Sequence, residues 1–131
     1  MNTEAILKIN KTNESDLIEE ELDNIPDGYF TKLEVIGVLE NSLNRDILPI
    51  ICKKIRFRGK LIISGLDGIA FCRSVANGEI SLHDASKVFC QHTNNLYSLI
   101  ILKEFFETNH WKIIFSGLEG LRYLIEVEKN G

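Results

Sequence analysis

The chain has few cysteines, no long apolar run and no excess of positive charge. Its three cysteines, Cys52, Cys72 and Cys90, are odd in number and include no C-x-x-C pair. This pattern favours a reduced, cytoplasmic compartment over a disulfide scaffold. No apolar stretch approaches the length of a membrane span, and no charged segment followed by an apolar one opens the chain. We therefore expect neither a membrane-embedded protein nor a visible secretion signal.

Charge and histidine content exclude further classes. The net charge is -4 at pH 7, which argues against a nucleic-acid binder, because phosphate affinity depends on clustered Lys and Arg. The three histidines show neither H-x-x-x-H spacing nor a neighbouring Cys pair, so no metal site is predicted. Ser64 lies in no G-x-S-x-G motif, so no hydrolase nucleophile is predicted. The composition is that of an ordinary globular protein, and the length predicts a single domain over residues 1–131.

The most informative stretch lies near the middle of the chain. Leu61 to Ser64 are four consecutive strand-compatible residues between Gly59 and Gly65. Such a run is typical of a central strand that is buried on both faces of a parallel sheet. Asp67 follows this strand at the position where open α/β sheets bind their ligands, outside the carboxyl ends of the strands.

The order of the remaining elements predicts the fold class. Strands are expected at residues 5–9, 33–38, 60–64, 112–116 and 122–128, and helices at 46–56, 68–76, 81–90 and from a cap at Ser98 to Asn109. The polar residues 10–28 are expected to form loop and turn. Helices link the early strands, which should therefore be parallel, whereas the short loop 117–120 can join only antiparallel neighbours. We expect an α/β fold with a mostly parallel sheet, a C-terminal antiparallel hairpin and flanking helices.

Three segments of this pattern carry a family resemblance. They are Val35–Asn41 followed by Asp46–Leu48, Arg58–Ser64, and Leu102–Glu107 leading to Trp111–Ile114. Together they resemble S-adenosylmethionine-dependent methyltransferases of the Rossmann-like class, over roughly residues 15–128. The turn before the central strand usually reads Pro-Gly-Gly in that family and reads Phe57-Arg58-Gly59 here.

The resemblance also implies what the chain lacks. Members of that family hold the cofactor with a glycine-rich loop after the first strand and with an acidic residue after the second. No G-x-G occurs before Gly37, so the resemblance implies only the C-terminal two thirds of the fold. With the first strand missing, either Ala5–Ile9 moves into its place or a sheet edge stays open. Because open edges tend to pair with other chains, a homodimer or a complex with a partner protein is expected.

The resemblance further implies where S-adenosylmethionine would bind. Glu21 and Leu22 resemble the adenine-contacting position, while Glu40, Asn41 and Asp67 would face the reacting end. The alternative for each acidic residue is a solvated loop carboxylate, and no catalytic residue is singled out. Two hypotheses follow. The chain is either an accessory or vestigial module that binds no cofactor alone and acts through a partner chain, or a minimal methyltransferase with an atypical cofactor site.

Overall fold

The computed structural model describes residues 3–92 and 95–130, which form a five-stranded sheet with four α-helices and one 3-10 helix. The strands are β1 (Glu4–Leu7), β2 (Phe30–Ile36), β3 (Ile55–Leu66), β4 (Lys112–Glu119) and β5 (Arg122–Glu128). The helices are α1 (Ile47–Lys53), α2 (Gly68–Ala76), α3 (Leu82–His92) and α4 (Leu99–Thr108), and the 3-10 helix is Glu19–Asn24. The predicted α/β class is confirmed.

The sheet is mixed, with the strand order β1-β2-β3-β5-β4. β1 and β3 pair with β2 in parallel, whereas β5 pairs antiparallel with both β3 and β4. The prediction of a mostly parallel sheet is therefore not borne out for the described strands. The reason is the position of β5, which lies between two strands that run the other way. The predicted central strand and C-terminal hairpin are both confirmed.

The core lies on one face of the sheet. Leu61 and Ile63 of β3 are fully buried there, with Ile51 of α1 and Phe106 of α4 in the same cluster. On the opposite face, none of the described strand residues is buried. The prediction that β3 is buried on both faces is therefore wrong, because α1 and α4 contribute to the same core as Leu61 and Ile63. Ile62, which points the other way, is only half-buried.

Several boundaries differ from the sequence prediction for local reasons. β2 ends at Ile36, because Gly37 turns the chain with a φ of 65°. The helix predicted over residues 46–56 ends at Lys53, and the fully buried Ile55 already begins β3. β4 continues to Glu119, which leaves a two-residue turn before β5.

The amino-terminal strand occupies the place next to β2. β1 pairs with β2 from Glu4 to Leu7 and is the edge strand of the described sheet. The residues predicted as loop and turn include the 3-10 helix. They also cover part of the outer edge of β1, since Leu17 N donates to Ile6 O and Lys8 N donates to Leu17 O, both at 2.8 Å.

The predicted helix starts are confirmed at two places. Ser98 Oγ accepts a hydrogen bond from Ile101 N at 3.3 Å and caps α4. Ser81 Oγ accepts from Asp84 N at 3.1 Å before α3. Within the described residues, no helix is both long enough and apolar enough to cross a membrane.

Candidate functional site at the carboxyl edge of the sheet

β2 and β3 are parallel and end at the same edge of the sheet, where Glu40 joins the two. Glu40 is only 5% exposed, and its Oε2 accepts a hydrogen bond from Leu66 N at 2.7 Å. This contact needs the glycine at position 65, because a Cβ there would lie 2.7 and 2.8 Å from the two carboxylate oxygens. The absence of a side chain at Gly65 therefore lets the loop after β2 bind the end of β3.

A second buried polar group lies beside Gly65. The hydroxyl of Tyr123 is 3.0 Å from the same Cβ point, and the residue is 1% exposed. Among the described atoms, neither this hydroxyl nor Glu40 Oε1 has a hydrogen-bond partner. Burial, together with the charge of Glu40, raises the pKa of Tyr123 well above its ordinary value. Tyr123 therefore stays protonated and retains a hydrogen bond to donate.

Asp67 uses both carboxylate oxygens within the fold. It is 2% exposed, and its Oδ1 accepts from Ala70 N at 2.8 Å as the cap of α2. Its Oδ2 accepts from Leu99 N, also at 2.8 Å, at the start of α4. The structure thus places Asp67 at the predicted edge of the sheet, where it holds the first turns of two helices together.

The loop after β2 is fixed by amide side chains. Asn41 Nδ2 donates to Gly37 O at 2.7 Å. Asn95 donates from its backbone N to Glu40 O at 3.1 Å and from Nδ2 to Ser42 O at 2.7 Å. The loop that carries Glu40 and Asn41 is consequently bonded on both sides, which restricts its movement.

The two candidates on the 3-10 helix point in different directions. Glu21 Oε1 accepts from Ile18 N at 3.1 Å and forms an ion pair with Lys11 at 3.0 Å. The hydrogen bond from Lys11 is the largest cause that lowers the pKa of Glu21. Leu22 is 1% exposed and belongs to the hydrophobic core. Glu21 thus lies at the surface beside a lysine, while Leu22 packs inside.

A small cavity lies between the end of β1 and the loop after β2. Its volume is about 110 Å³, and its lining includes Ile9, Glu19, Glu20 and Asn41. Of the residues predicted to bind the cofactor, only Asn41 lines it. The acidic residues that line it are Glu19 and Glu20, whereas Glu21 is not among the lining residues.

The sequence did not predict the contacts between residues that are distant in sequence. No sequence pattern connects Glu40 with Tyr123, since they approach each other only when β5 is placed beside β3. A usable signal for Gly65 was its position as the last glycine in an apolar strand, which often marks a close backbone approach. Among the described residues, no group of three or more His, Cys, Asp or Glu side chains could hold a metal ion.

Comparison with known proteins gives the fold its context. No protein-family model matches the sequence, and no curated protein sequence matches it. A solved structure of an S-adenosylmethionine-dependent methyltransferase, possibly a histamine N-methyltransferase, from Thermotoga maritima is similar with a TM-score of 0.66 and 11% identity. The similarity covers 99% of this chain and 83% of that one.

Two further structures extend the comparison. An S-adenosylmethionine-dependent methyltransferase from Methanosarcina mazei is similar with a TM-score of 0.62 and 10% identity, over 98% of this chain and 93% of that one. A possible exported protein from Bordetella parapertussis is similar with a TM-score of 0.58 and 11% identity, over 89% of this chain. This chain spans only 45% of that protein. The sequence contains no G-x-G before Gly37. The similarity shows that this chain has a fold of the type found in S-adenosylmethionine-dependent methyltransferases.

Proposed function

We propose that this chain is a methyltransferase-like module that does not bind S-adenosylmethionine alone and acts through a partner chain. A cavity of about 500 Å³ beside Gly68 and Tyr97 has none of the predicted cofactor residues in its lining. The observation that carries the proposal is the size of the cavity that is lined by Asn41, one of the residues predicted to bind the cofactor. Its volume is about 110 Å³. Pockets that bind drug-sized ligands such as S-adenosylmethionine usually measure roughly 300–1,000 Å³. The cofactor would not fit there without a rearrangement of the loop that carries Asn41.

The internal bonding of the predicted site residues supports the same proposal. Both oxygens of Asp67 already accept backbone hydrogen bonds, and Leu22 is inside the core. Glu21 is paired with Lys11. A cofactor that used these groups would have to break existing bonds, and the glycine-rich loop that supplies close backbone contacts in such folds has no counterpart in this sequence.

The uncovered sheet face gives a place for a partner. In doubly wound α/β folds, helices cover both faces of the sheet. Here the face that carries Ile62 contains no buried residue within the described strands. Leu124 and Phe115 on that side are 41% and 53% exposed. A partner chain that supplied further helices would bury this side.

The thermal stability of the purified chain tests the proposal. A ligand present at a thousandfold excess over its Kd raises the free energy of unfolding by about 4 kcal/mol. A micromolar binder at 1 mM, roughly a thousand times its Kd, would therefore raise the melting temperature. Because the chain is proposed not to bind the cofactor alone, we expect no change in melting temperature with 1 mM S-adenosylmethionine. A shift of several degrees that disappears in Glu21→Ala or Asp67→Ala, compared with each variant alone, would contradict the proposal.

The second candidate function is a minimal methyltransferase with an atypical site. It is favoured by the hydrogen-bonding capacity that remains at Glu40 Oε1 and at the Tyr123 hydroxyl. Binding that depends on these two groups would be lost in both Glu40→Gln and Tyr123→Phe. Binding in the purified wild-type chain, lost in both variants while their melting temperatures without ligand are retained, would favour this candidate.

A further inference from the structure

The two edges of the sheet differ in how they are protected. At the β1 edge the strand has only four residues, and Leu17 bonds to its outer side through Ile6 and Lys8. At the opposite edge, β4 has eight residues and, among the residues that the structure describes, pairs on one side only, with β5. A long edge strand presents unpaired N–H and C=O groups that can template another strand. The β4 edge is therefore the better candidate for contact with another chain.

The side chains of β4 do not discourage such pairing. Charged residues stand only at its two ends, Lys112 and Glu119, and the six residues between them are uncharged. Three large apolar side chains of this segment are exposed: Ile114 at 44%, and Phe115 and Leu118 at 53% each. Proteins commonly protect an edge with charges or proline within the strand, and β4 has neither in its middle.

The charges of β4 are complementary to those of a second copy. In an antiparallel pair of β4 strands, the Lys112 end of one copy lies beside the Glu119 end of the other. The twofold symmetry of the pair creates this contact twice. The same arrangement places the exposed apolar residues of the two copies next to each other, around an axis near Ser116.

The hairpin geometry leaves suitable backbone groups free. Gly120, with a φ of 60°, and Leu121 form the two-residue turn between Glu119 and Arg122. In such hairpins the closing pair exchanges hydrogen bonds, and bonded and non-bonded pairs then alternate along the ladder. By this alternation Ser116 and Leu118 direct their backbone groups to the open edge.

We propose that β4 is a self-association surface, through which two copies of this chain pair antiparallel into one continuous sheet. The proposal goes beyond the function proposed above, because it concerns the edge opposite to β1 and requires no cofactor. It leaves the part of the sheet face that carries Ile62 and Leu124 available to a different partner.

Sedimentation equilibrium over a concentration series tests the proposal on the intact chain. We expect a species of twice the 14.9 kDa chain mass. Lys112→Glu and Glu119→Lys should each weaken the dimer by roughly tenfold or more, since each replaces two attractive end contacts by repulsive ones. Glu4→Lys, a charge reversal on the β1 edge, is the matched control and should leave the dimer unchanged.

Mixing the two variants separates pairing from folding. Lys112 and Glu119 also lie opposite Glu128 and Arg122 of their own chain, so each reversal alone could disturb the hairpin. An equimolar mixture of the two variants has complementary ends again, and we expect the dimer to return. A monomer at all concentrations of the wild type, a dimer that survives both reversals, or a mixture that stays monomeric would each overturn the proposal.

Discussion

The substitution Gly65→Ala tests the most confined contact of the candidate site. An added Cβ would stand 2.7 Å from Glu40 Oε1, 2.8 Å from Oε2 and 3.0 Å from the Tyr123 hydroxyl. Side-chain carbons do not tolerate oxygen neighbours at the shorter of these distances, so the Glu40 carboxylate has to move. Its movement would break the 2.7 Å bond from Leu66 N.

The expected cost is the sum of strain and a lost bond. Overpacking a buried position costs roughly 1–3 kcal/mol, and a hydrogen bond to a charged group contributes roughly 1.5–3 kcal/mol. We expect the free energy of unfolding to fall by about 3 kcal/mol, a large share of the roughly 5–15 kcal/mol typical of a domain.

Urea denaturation followed by circular dichroism measures this change. With a slope of about 1–3 kcal/mol per molar urea, the midpoint should fall by roughly 1–3 M. Gly117→Ala is the matched control, because a Cβ at that strand position meets only the Phe115 ring, with Cζ at 3.4 Å and Cε1 at 3.7 Å. Replacing a strand glycine by alanine without a clash should stabilise by up to about 1 kcal/mol.

A double-mutant cycle identifies the group responsible. In a Glu40→Ala background the carboxylate is gone, so Gly65→Ala should cost at least about 1 kcal/mol less than in the wild type. The reasoning is refuted if Gly65→Ala has the stability of the wild type, or if its cost is the same with and without Glu40. All variants are compared at one low protein concentration, at which they have the same oligomeric state.

Three further substitutions have distinct expected outcomes. Asp67→Ala removes the acceptor of two backbone N–H groups and should lower the free energy of unfolding by about 2–4 kcal/mol in the same urea assay; a loss below about 0.5 kcal/mol would contradict the bridging role. Tyr123→Phe removes a hydroxyl that has no partner among the described atoms, so its stability should equal or exceed that of the wild type, and a loss above about 1 kcal/mol would reveal a missed bond. The hydrogen bond from Thr12 lowers the pKa of Asp16 below 3.8, so its stabilising effect is present above that pH and is lost as the pH falls; in urea titrations between pH 6 and 2, Asp16→Asn should lose less stability than the wild type, and parallel curves would contradict this.

Local sequence patterns were sufficient for the main elements of the fold. The uninterrupted run Leu61–Ser64 predicted the central strand. The alternation of Leu121, Tyr123, Ile125 and Val127 predicted a strand with these residues on one side; the last three are buried in β5, whereas Leu121 lies in the turn before it. Both patterns depend on side chains that are close in sequence, which explains why they could be recognised from the sequence alone. The cap at Ser98 was readable for the same reason, because its acceptor and donor are three residues apart.

Features that depend on residues far apart in sequence could not be predicted. The basic run Lys53–Arg58 is typical of a helix end, yet Ile55 pairs with Phe30 of β2 and already belongs to β3. The predicted burial of β3 on both faces was wrong, because the sequence of an apolar strand does not show which of its faces the helices will cover. The pairing of Glu40 with Leu66 required knowledge of the loop path after β2.

The predicted cofactor residues show the same limit. The sequence placed Glu40, Asn41 and Asp67 at one edge of the sheet, and the structure has all three after the carboxyl ends of β2 and β3. What the sequence could not give is how these groups are used, since the bonds from Ala70 and Leu99 to Asp67 arise only when α2 and α4 meet. Their role toward S-adenosylmethionine stays a prediction.

Isothermal titration calorimetry of the purified chain with S-adenosylmethionine tests the central claim most directly. At tens of micromolar protein and up to about 1 mM ligand, a site of micromolar affinity gives a saturable heat with a stoichiometry near one. We predict only the heat of dilution, equal to that of a buffer blank. A saturable isotherm with a micromolar Kd, reproduced with S-adenosylhomocysteine and lost in Asp67→Ala that remains folded, would contradict the account and identify the chain as a self-sufficient cofactor-binding domain.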